Sequence, residues 1–289
     1  MISVDCVIVF NKRKKQAPGL LSRTKDFLES REVSYYVLEY SKNPGQENSE
    51  RINKDLKNIN PEKIKFIISM GGDGTFLFTA RTFVKYSIPL IGVNIGKLGF
   101  ITESRADELI DELELFLAGN YELDKRMMLH AYVYRKKKLI NSFICLNDFV
   151  IGKNSLSRIS TVETYINDDY ICTYQADGLI VSTPTGSTAY NLSALGPILQ
   201  PQTHAIILNP ICNHSLRVRP LVISDSSEIK IKLLSKKLDE RLVTDGQEWL
   251  ILEYGDEIII KKSEYSADIV KSSKRDFFNI LKNKLHWID

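Results

Sequence analysis

The sequence lacks the features that would assign it to an oxidising compartment or a membrane. Its 289 residues include only four cysteines, Cys6, Cys145, Cys172 and Cys212, and no two form a C-x-x-C pair. Three of them lie in apolar, strand-like surroundings, so buried free thiols are expected rather than a disulfide framework or a zinc site. The four histidines, His130, His204, His214 and His286, are too scattered to form a ligand cluster. No apolar run approaches the roughly 20 residues needed to span a bilayer. The chain opens directly on a strand-like run, MISVDCVIVF, without the layout of a signal peptide. A cytoplasmic protein with no membrane partner is expected. Net charge is also nearly absent: 39 basic against 36 acidic side chains leave +3, which gives no argument for a nucleic-acid partner. The basic runs NKRKKQ (Asn11 to Gln16) and YRKKK (Tyr134 to Lys138) are local. They are read as solvated loops or hairpin tips in preference to a polyanion patch.

Two nucleotide signatures are missing as well. GVNIGK (Gly92 to Lys97) is one residue short of a P-loop, and Leu98 stands where Ser or Thr is needed. No G-x-G-x-x-G opens the first helix. A nucleotide would have to be held in another way.

With 43% hydrophobic and 26% charged residues, the chain has ample material for about two globular domains. The first 120 residues alternate strand and helix signals. Strands are expected over Cys6 to Phe10, Val33 to Leu38, Lys65 to Ser69 and Ile88 to Val93. Helices are expected over Leu20 to Ser30, in a polar stretch after Leu38, after Gly72 and over Asp107 to Ala118. Such alternation predicts a Rossmann-like α/β domain with a parallel sheet and a ligand site at the carboxyl ends of its strands. From about Met127 the pattern becomes that of hairpins. HAYVYRKKKLINSFICLNDFVIG reads as strand, turn, strand, and TVETYINDDYICTYQADGLIVS as a second hairpin turning at Asn167 to Asp169. AIILN, PLVIS, EIKIKLL and DEIIIKK are further strand candidates. The expected division is an α/β domain over 1–122, a predominantly β domain over 123–271, and a C-terminal helix over 272–289 that packs back on the first domain.

Within this frame, FIISMGGDGTFLFTA (Phe66 to Ala80) is a strand, a glycine turn and a helix start. A helix N-terminus attracts anions, yet Asp73 places an anion there. Two readings stand: Asp73 caps the helix, or it takes a proton from an attacking hydroxyl or engages a metal beside phosphates. Further along, DGLIVSTPTGSTAYNLSALGP (Asp177 to Pro197) runs from a strand into a cluster of hydroxyl side chains around Gly186, with a helix start expected near Leu192. Small, hydroxylic residues let a backbone approach a ligand, although a Ser/Thr-rich helix cap has the same composition. Asp177 and the pair Asn147-Asp148 add polar groups suited to ribose hydroxyls.

GGDGT (Gly71 to Thr75) resembles the signature of the NAD kinase and diacylglycerol kinase superfamily. GVNIGKLGFITE (Gly92 to Glu103) and the block from Asp177 are similar to the NAD kinase family in particular. So are HSLRVRPLVIS (His214 to Ser224), TDGQ (Thr244 to Gln247) and FNILKNKLHW near the end. The likeness spans nearly the whole chain in the family's order. It implies a phosphotransferase with an alcohol group as acceptor, moving the terminal phosphoryl group of ATP, with Mg²⁺ or another divalent cation, to the 2′-hydroxyl of the adenosine ribose of NAD. By the same resemblance Asp73 is the proton acceptor, and Gly72 and Gly74 admit the phosphates. Asn147, Asp148, Asp177, Thr185, the run Thr188, Ala189, Tyr190, Asn191, Leu192 and Ser193, and Gln247 contact NAD. Arg158 and Gln175 occupy variable ligand-facing positions. No protein metal ligand is implied, and a homo-oligomer, dimer or tetramer, is expected. Two departures are notable. Asp148 is one methylene shorter than the family's usual Glu, and Gln175 replaces an arginine that some relatives carry, which is linked to preferring NAD over NADH. The competing readings are a lipid kinase of the same superfamily, which the hydroxyl-rich block disfavours, and a non-catalytic NAD-sensing module, which an intact Asp73 disfavours.

Overall fold

The computed structural model describes residues 2–40, 56, 58–96, 99–102, 104–153, 159–215, 217–235, 240–272 and 274–287. The polar helix expected after Leu38 and the expected ligand contact Arg158 lie outside the described residues. The chain divides into two compact units, one of residues 1–125 with 267–289 and the other of residues 126–266.

In the first unit, strands β1 (Cys6–Asn11), β2 (Tyr35–Tyr40), β3 (Phe66–Gly71) and β4 (Leu90–Asn94) alternate with helices α1 (Ala17–Ser30), α2 (Asp73–Phe83) and, after the short strand β5 (Ser104–Arg105), α3 (Leu109–Leu117). The strands pair in parallel in the order β2-β1-β3-β4. β1, β3 and β4 are buried along nearly their whole length, as expected when helices cover both faces of a parallel sheet. Ile8, Ile68, Met70, Ile91 and Val93 form the core with Leu28 of α1 and Leu113 of α3. The C-terminal helix α5 (Phe277–Leu285) belongs to this unit. Arg275 just before it makes a two-pronged ion pair with Glu108, at 2.6 and 2.7 Å, which holds the Glu108 carboxyl at about 2.

The second unit is antiparallel β. One sheet has the order β13-β12-β11-β8-β15-β16, built from β8 (Asp148–Lys153), β11 (Gly178–Ser182), β12 (Ala205–Ile211), β13 (Leu221–Ser224), β15 (Glu240–Thr244) and β16 (Glu248–Leu252). The other places β9 (Ser160–Ile166), β10 (Asp169–Ala176) and β14 (Ile229–Leu233) beside β17 (Glu257–Val270), with β6 (Leu123–Arg135) and β7 (Lys138–Cys145) continuing from β17. Inward-facing residues of both sheets share one core: Leu129 and Val133, Ile229 and Ile231, and Ile258 and Ile260 against Phe149, Ile151, Leu179, Val181 and Leu208. The hairpin turns match their sequences. At the turn expected over Asn167 to Asp169, Asn167 (φ 51) and Asp168 (φ 70) form a left-handed pair between β9 and β10.

One expected element differs. The helix anticipated near Leu192 is a single turn, α4 (Tyr190–Ser193). It ends because Leu195 turns left-handed at φ 60 and the Gly196 N–H returns to the Asn191 carbonyl at 2.9 Å. Apolar spacing alone could not reveal that stop.

Candidate active site

The glycine turn of the first unit closes on tight packing. A Cβ at Gly71 would lie 2.2 Å from Thr75 Oγ1, and one at Gly92 would meet the Phe76 ring at 2.8 Å. Only glycine lets β3 and β4 approach α2 this closely. Gly72 is different: its φ of −164° suits any residue, and a Cβ there would have nothing within 4 Å. Gly74 lies in the first turn of α2 and is half-buried.

The capping role for Asp73 is excluded by its position. Gly72 is the N-cap of α2, Asp73 is the first helical residue, and no side chain caps the helix. The carboxylate points instead to the segment after β4. Phe100 N–H donates to Oδ2 at 3.1 Å, while Thr102 donates to Oδ1 through its N–H at 3.3 Å and its hydroxyl at 2.9 Å. Gly99 makes this clasp possible, since a Cβ there would fall 1.8 Å from Asp73 Oδ1. Lys284 of α5 lies over the Phe100 ring, 4.7 Å from its centre. Half-buried and beside a helix N-terminus that favours negative charge, the carboxylate is held in one orientation by these three bonds.

In the second unit the polar groups gather at one edge of the six-stranded sheet. Between β15 and β16, Asp245 (φ 48) and Gly246 (φ 63) make a left-handed turn closed by Gln247 N–H to the Thr244 carbonyl at 2.9 Å. The Asp245 carboxylate accepts the backbone N–H groups of Leu146, Asn147 and Asp148 at 3.2, 2.8 and 3.2 Å. That fixes the start of β8. The Asp148 carboxyl is pushed up to about 7 by burial and then by the neighbouring charge of Asp245. The amide oxygen of Asn147 is buried and has no hydrogen-bond donor among the described residues, an expensive vacancy unless something else serves it.

The hydroxyl-rich block packs against this segment. Thr183 Oγ1 donates to the Leu146 carbonyl at 2.6 Å and accepts the Gly186 N–H at 3.0 Å. Gly186 is required, because a Cβ would lie 2.2 Å from the Asn147 carbonyl oxygen. Thr185 and Thr188 are buried, and Thr185 Oγ1 accepts from Arg126 at 3.4 Å. Asn191 is buried scaffold: its side chain donates to the carbonyls of Ser187 (3.1 Å) and Pro197 (3.0 Å) and accepts from Asn209 (3.0 Å). Ala189 and Leu192 are half-buried, whereas Ser193 and Tyr190 are exposed, the tyrosine at 47%. Asp177 and Tyr190 line a cavity of about 460 Å³ together with Lys153, Arg241 and Trp249. Gln175 is exposed near the end of β10. The sequence reading assigned no role to Asp245 or Thr102. Both lay inside quoted motifs, but their partners are 97–99 residues away for Asp245 and 29 for Thr102.

The ATP-NAD kinase N-terminal domain matches residues 6–121, and the ATP-NAD kinase C-terminal domain matches 146–272. The chain belongs to the ATP-NAD kinase family. The NAD kinase of Natranaerobius thermophilus is 38% identical over 278 residues, covering 96% of each chain. That of Magnetococcus marinus is 43% identical over 236 residues, 82% of this chain and 78% of its own. Among solved structures, yeast NADH kinase complexed with NADH superposes with a TM-score of 0.81 at 25% identity, covering all of this chain and 89% of its own. The NAD kinase of Archaeoglobus fulgidus in complex with ATP gives 0.75 at 25% identity, covering 98% and 100%. The two-unit architecture, parallel α/β followed by antiparallel β, is that of the NAD kinases, and a lipid kinase is not favoured.

Proposed function

We infer that the protein is an NAD kinase that transfers the terminal phosphoryl group of ATP to the 2′-hydroxyl of the adenosine ribose of NAD. The observation supporting it is the Asp73 carboxylate. It is removed from capping, oriented by Phe100 and Thr102, and held at the carboxyl edge of a parallel sheet. Asp73 accepts the proton of the 2′-hydroxyl as the oxygen attacks phosphorus. Transfer of a phosphoryl group is mainly positioning and charge stabilisation, so one oriented base suffices.

Gly72 and Gly74 admit the donor phosphates, and the open space at Gly72 supports that role. Mg²⁺ would arrive with ATP as part of the substrate and would supply neutralisation of charge on the phosphates. Among the described residues no cluster of three or more His, Cys, Asp or Glu could hold a metal ion. Asn147 and Asp148 receive NAD, Asn147 through an amide oxygen that no described residue serves. Asp177, Thr185, Thr188, Ala189, Tyr190, Leu192, Ser193 and Gln247 complete its surroundings, with Arg158 and Gln175 at the variable margin and Asn191 shaping the run from within. The protein acts in the cytoplasm as a homo-oligomer.

The test is a coupled assay for NADP⁺ formed from NAD⁺ and Mg-ATP by wild type and Asp73→Asn. Product from wild type and at least a hundredfold less from the variant, with NAD⁺ binding retained, is expected. A variant that keeps most of the rate removes Asp73 as the base. NAD⁺ binding by wild type without turnover makes the protein a sensor.

A further inference from the structure

The neighbouring strands β1, β3 and β4 run in parallel and end together: Phe10 stands opposite Met70, and Gly71 opposite Asn94. Their carboxyl ends therefore deliver three connections to one edge of the sheet. The second carries Gly72 and Asp73, and the third carries Gly96 and, beyond it, Phe100 and Thr102 around the Asp73 carboxylate. The first is the basic run Asn11 to Gln16. It is a built turn. Asn11 Oδ1 accepts the Arg13 N–H at 3.1 Å, the Asn11 carbonyl accepts the Lys14 N–H at 3.1 Å, and the Lys14 carbonyl accepts the Ala17 N–H at 2.9 Å as α1 begins.

The lysines of this run have different surroundings. Lys12 is paired with Glu39. Lys14 has no carboxylate partner among the described residues. Its ammonium nitrogen lies 3.8 Å from the point that a Cβ on Gly96 would occupy. Gly96 has a φ of +123°, a conformation open to glycine and costly for other residues. The amine of Lys14 thus lies beside the third connection at Gly96, in the same connection whose later residues hold the Asp73 carboxylate. An unpaired ammonium at that position offers three donors and a full positive charge.

We propose that Lys14 binds the phosphates of the donor nucleotide in the reaction of Asp73, supplying from the β1–α1 turn the cation that a P-loop carries within its own glycine loop. The sequence contains no P-loop lysine followed by Ser or Thr, so the charge comes from a neighbour in space. The proposal rests on the NAD kinase reading. It also replaces the interpretation of this basic run as purely solvated.

The test compares steady-state constants of wild type, Lys14→Ala, Lys14→Arg and, as a control elsewhere in the same run, Lys15→Ala, all as the full chain. Loss of one charge-assisted hydrogen bond to a phosphate raises KM for Mg-ATP about tenfold or more in Lys14→Ala, with KM for NAD⁺ unchanged. Lys14→Arg recovers most of that loss and Lys15→Ala shows none. A KM for Mg-ATP within twofold of wild type in Lys14→Ala overturns the proposal, as does an equal rise in both KM values or an equal effect of Lys15→Ala. A wild type that forms no NADP⁺ overturns the NAD kinase reading itself, and this proposal with it.

Discussion

The carboxylate of Asp245 accepts the backbone N–H of Asn147 at 2.8 Å, although the two residues lie 98 positions apart. With the further bonds from Leu146 and Asp148 it acts as an external cap for the start of β8. The same carboxylate stands close enough to Asp148 to help hold that group's proton.

Asp245→Ala leaves three buried N–H groups without an acceptor. The expected loss is about 2–4 kcal/mol of unfolding free energy, together with a higher KM for NAD⁺. Urea titration followed by far-ultraviolet circular dichroism measures the first. A variant within about 0.5 kcal/mol of wild type contradicts the capping role.

The raised Asp148 carboxyl gives a pH dependence whose sign is fixed. It titrates near 3.8 in the unfolded chain and near 7 in the folded one, so between those values the native state binds the extra proton. Its contribution to stability is therefore greatest at the acidic end of the window and declines as pH rises toward 7. Asp148→Asn has no proton to lose there. The stability of wild type relative to this variant is expected to fall between about pH 4 and about pH 7 and to level off above that. A relative stability that rises with pH would contradict the assignment.

Gly72 and Gly99 separate ligand space from protein space. Gly99→Ala drives a methyl into Asp73 Oδ1, so turnover is expected to fall at least about tenfold through the displaced base. Gly72→Ala meets no protein atom, so its melting temperature stays within about 2 °C of wild type while KM for Mg-ATP rises. If Gly72→Ala is as active as wild type, the phosphates do not pass that position.

Asn191 and Ser193 lie two positions apart in α4 but in different surroundings, one buried and the other exposed. Asn191→Ala removes a fully buried side chain with three bonds to Ser187, Pro197 and Asn209, and is expected to cost about 2–3 kcal/mol of stability. Ser193→Ala, at an exposed site, alters KM for NAD⁺ and leaves thermal unfolding unchanged. Equal melting curves for the two variants would overturn this division.

Local chemistry determined much of this protein on its own. The β-branched runs and their spacing set the strands, the shift from alternating helices to hairpins set the two-unit organisation, and Asn167-Asp168 set a left-handed turn. Composition left helix capping open for the Gly-Gly-Asp-Gly run and the hydroxyl-rich block, and it was their resemblance to the NAD kinase family that pointed to a nucleotide. Tertiary structure decided what each group touches. By sequence Asp73 fits a helix cap, yet in the fold its carboxylate is turned away from the helix end and held by Phe100 and Thr102. Asn191 fits a ligand contact by position, yet its side chain is enclosed as scaffold. Nothing local marked Asp245 as the acceptor for the start of β8, or Asp148 as a group whose proton burial would hold. Hydrogen bonding and desolvation depend on which atoms stand within about 3 Å, and between residues far apart in the chain only the fold decides that.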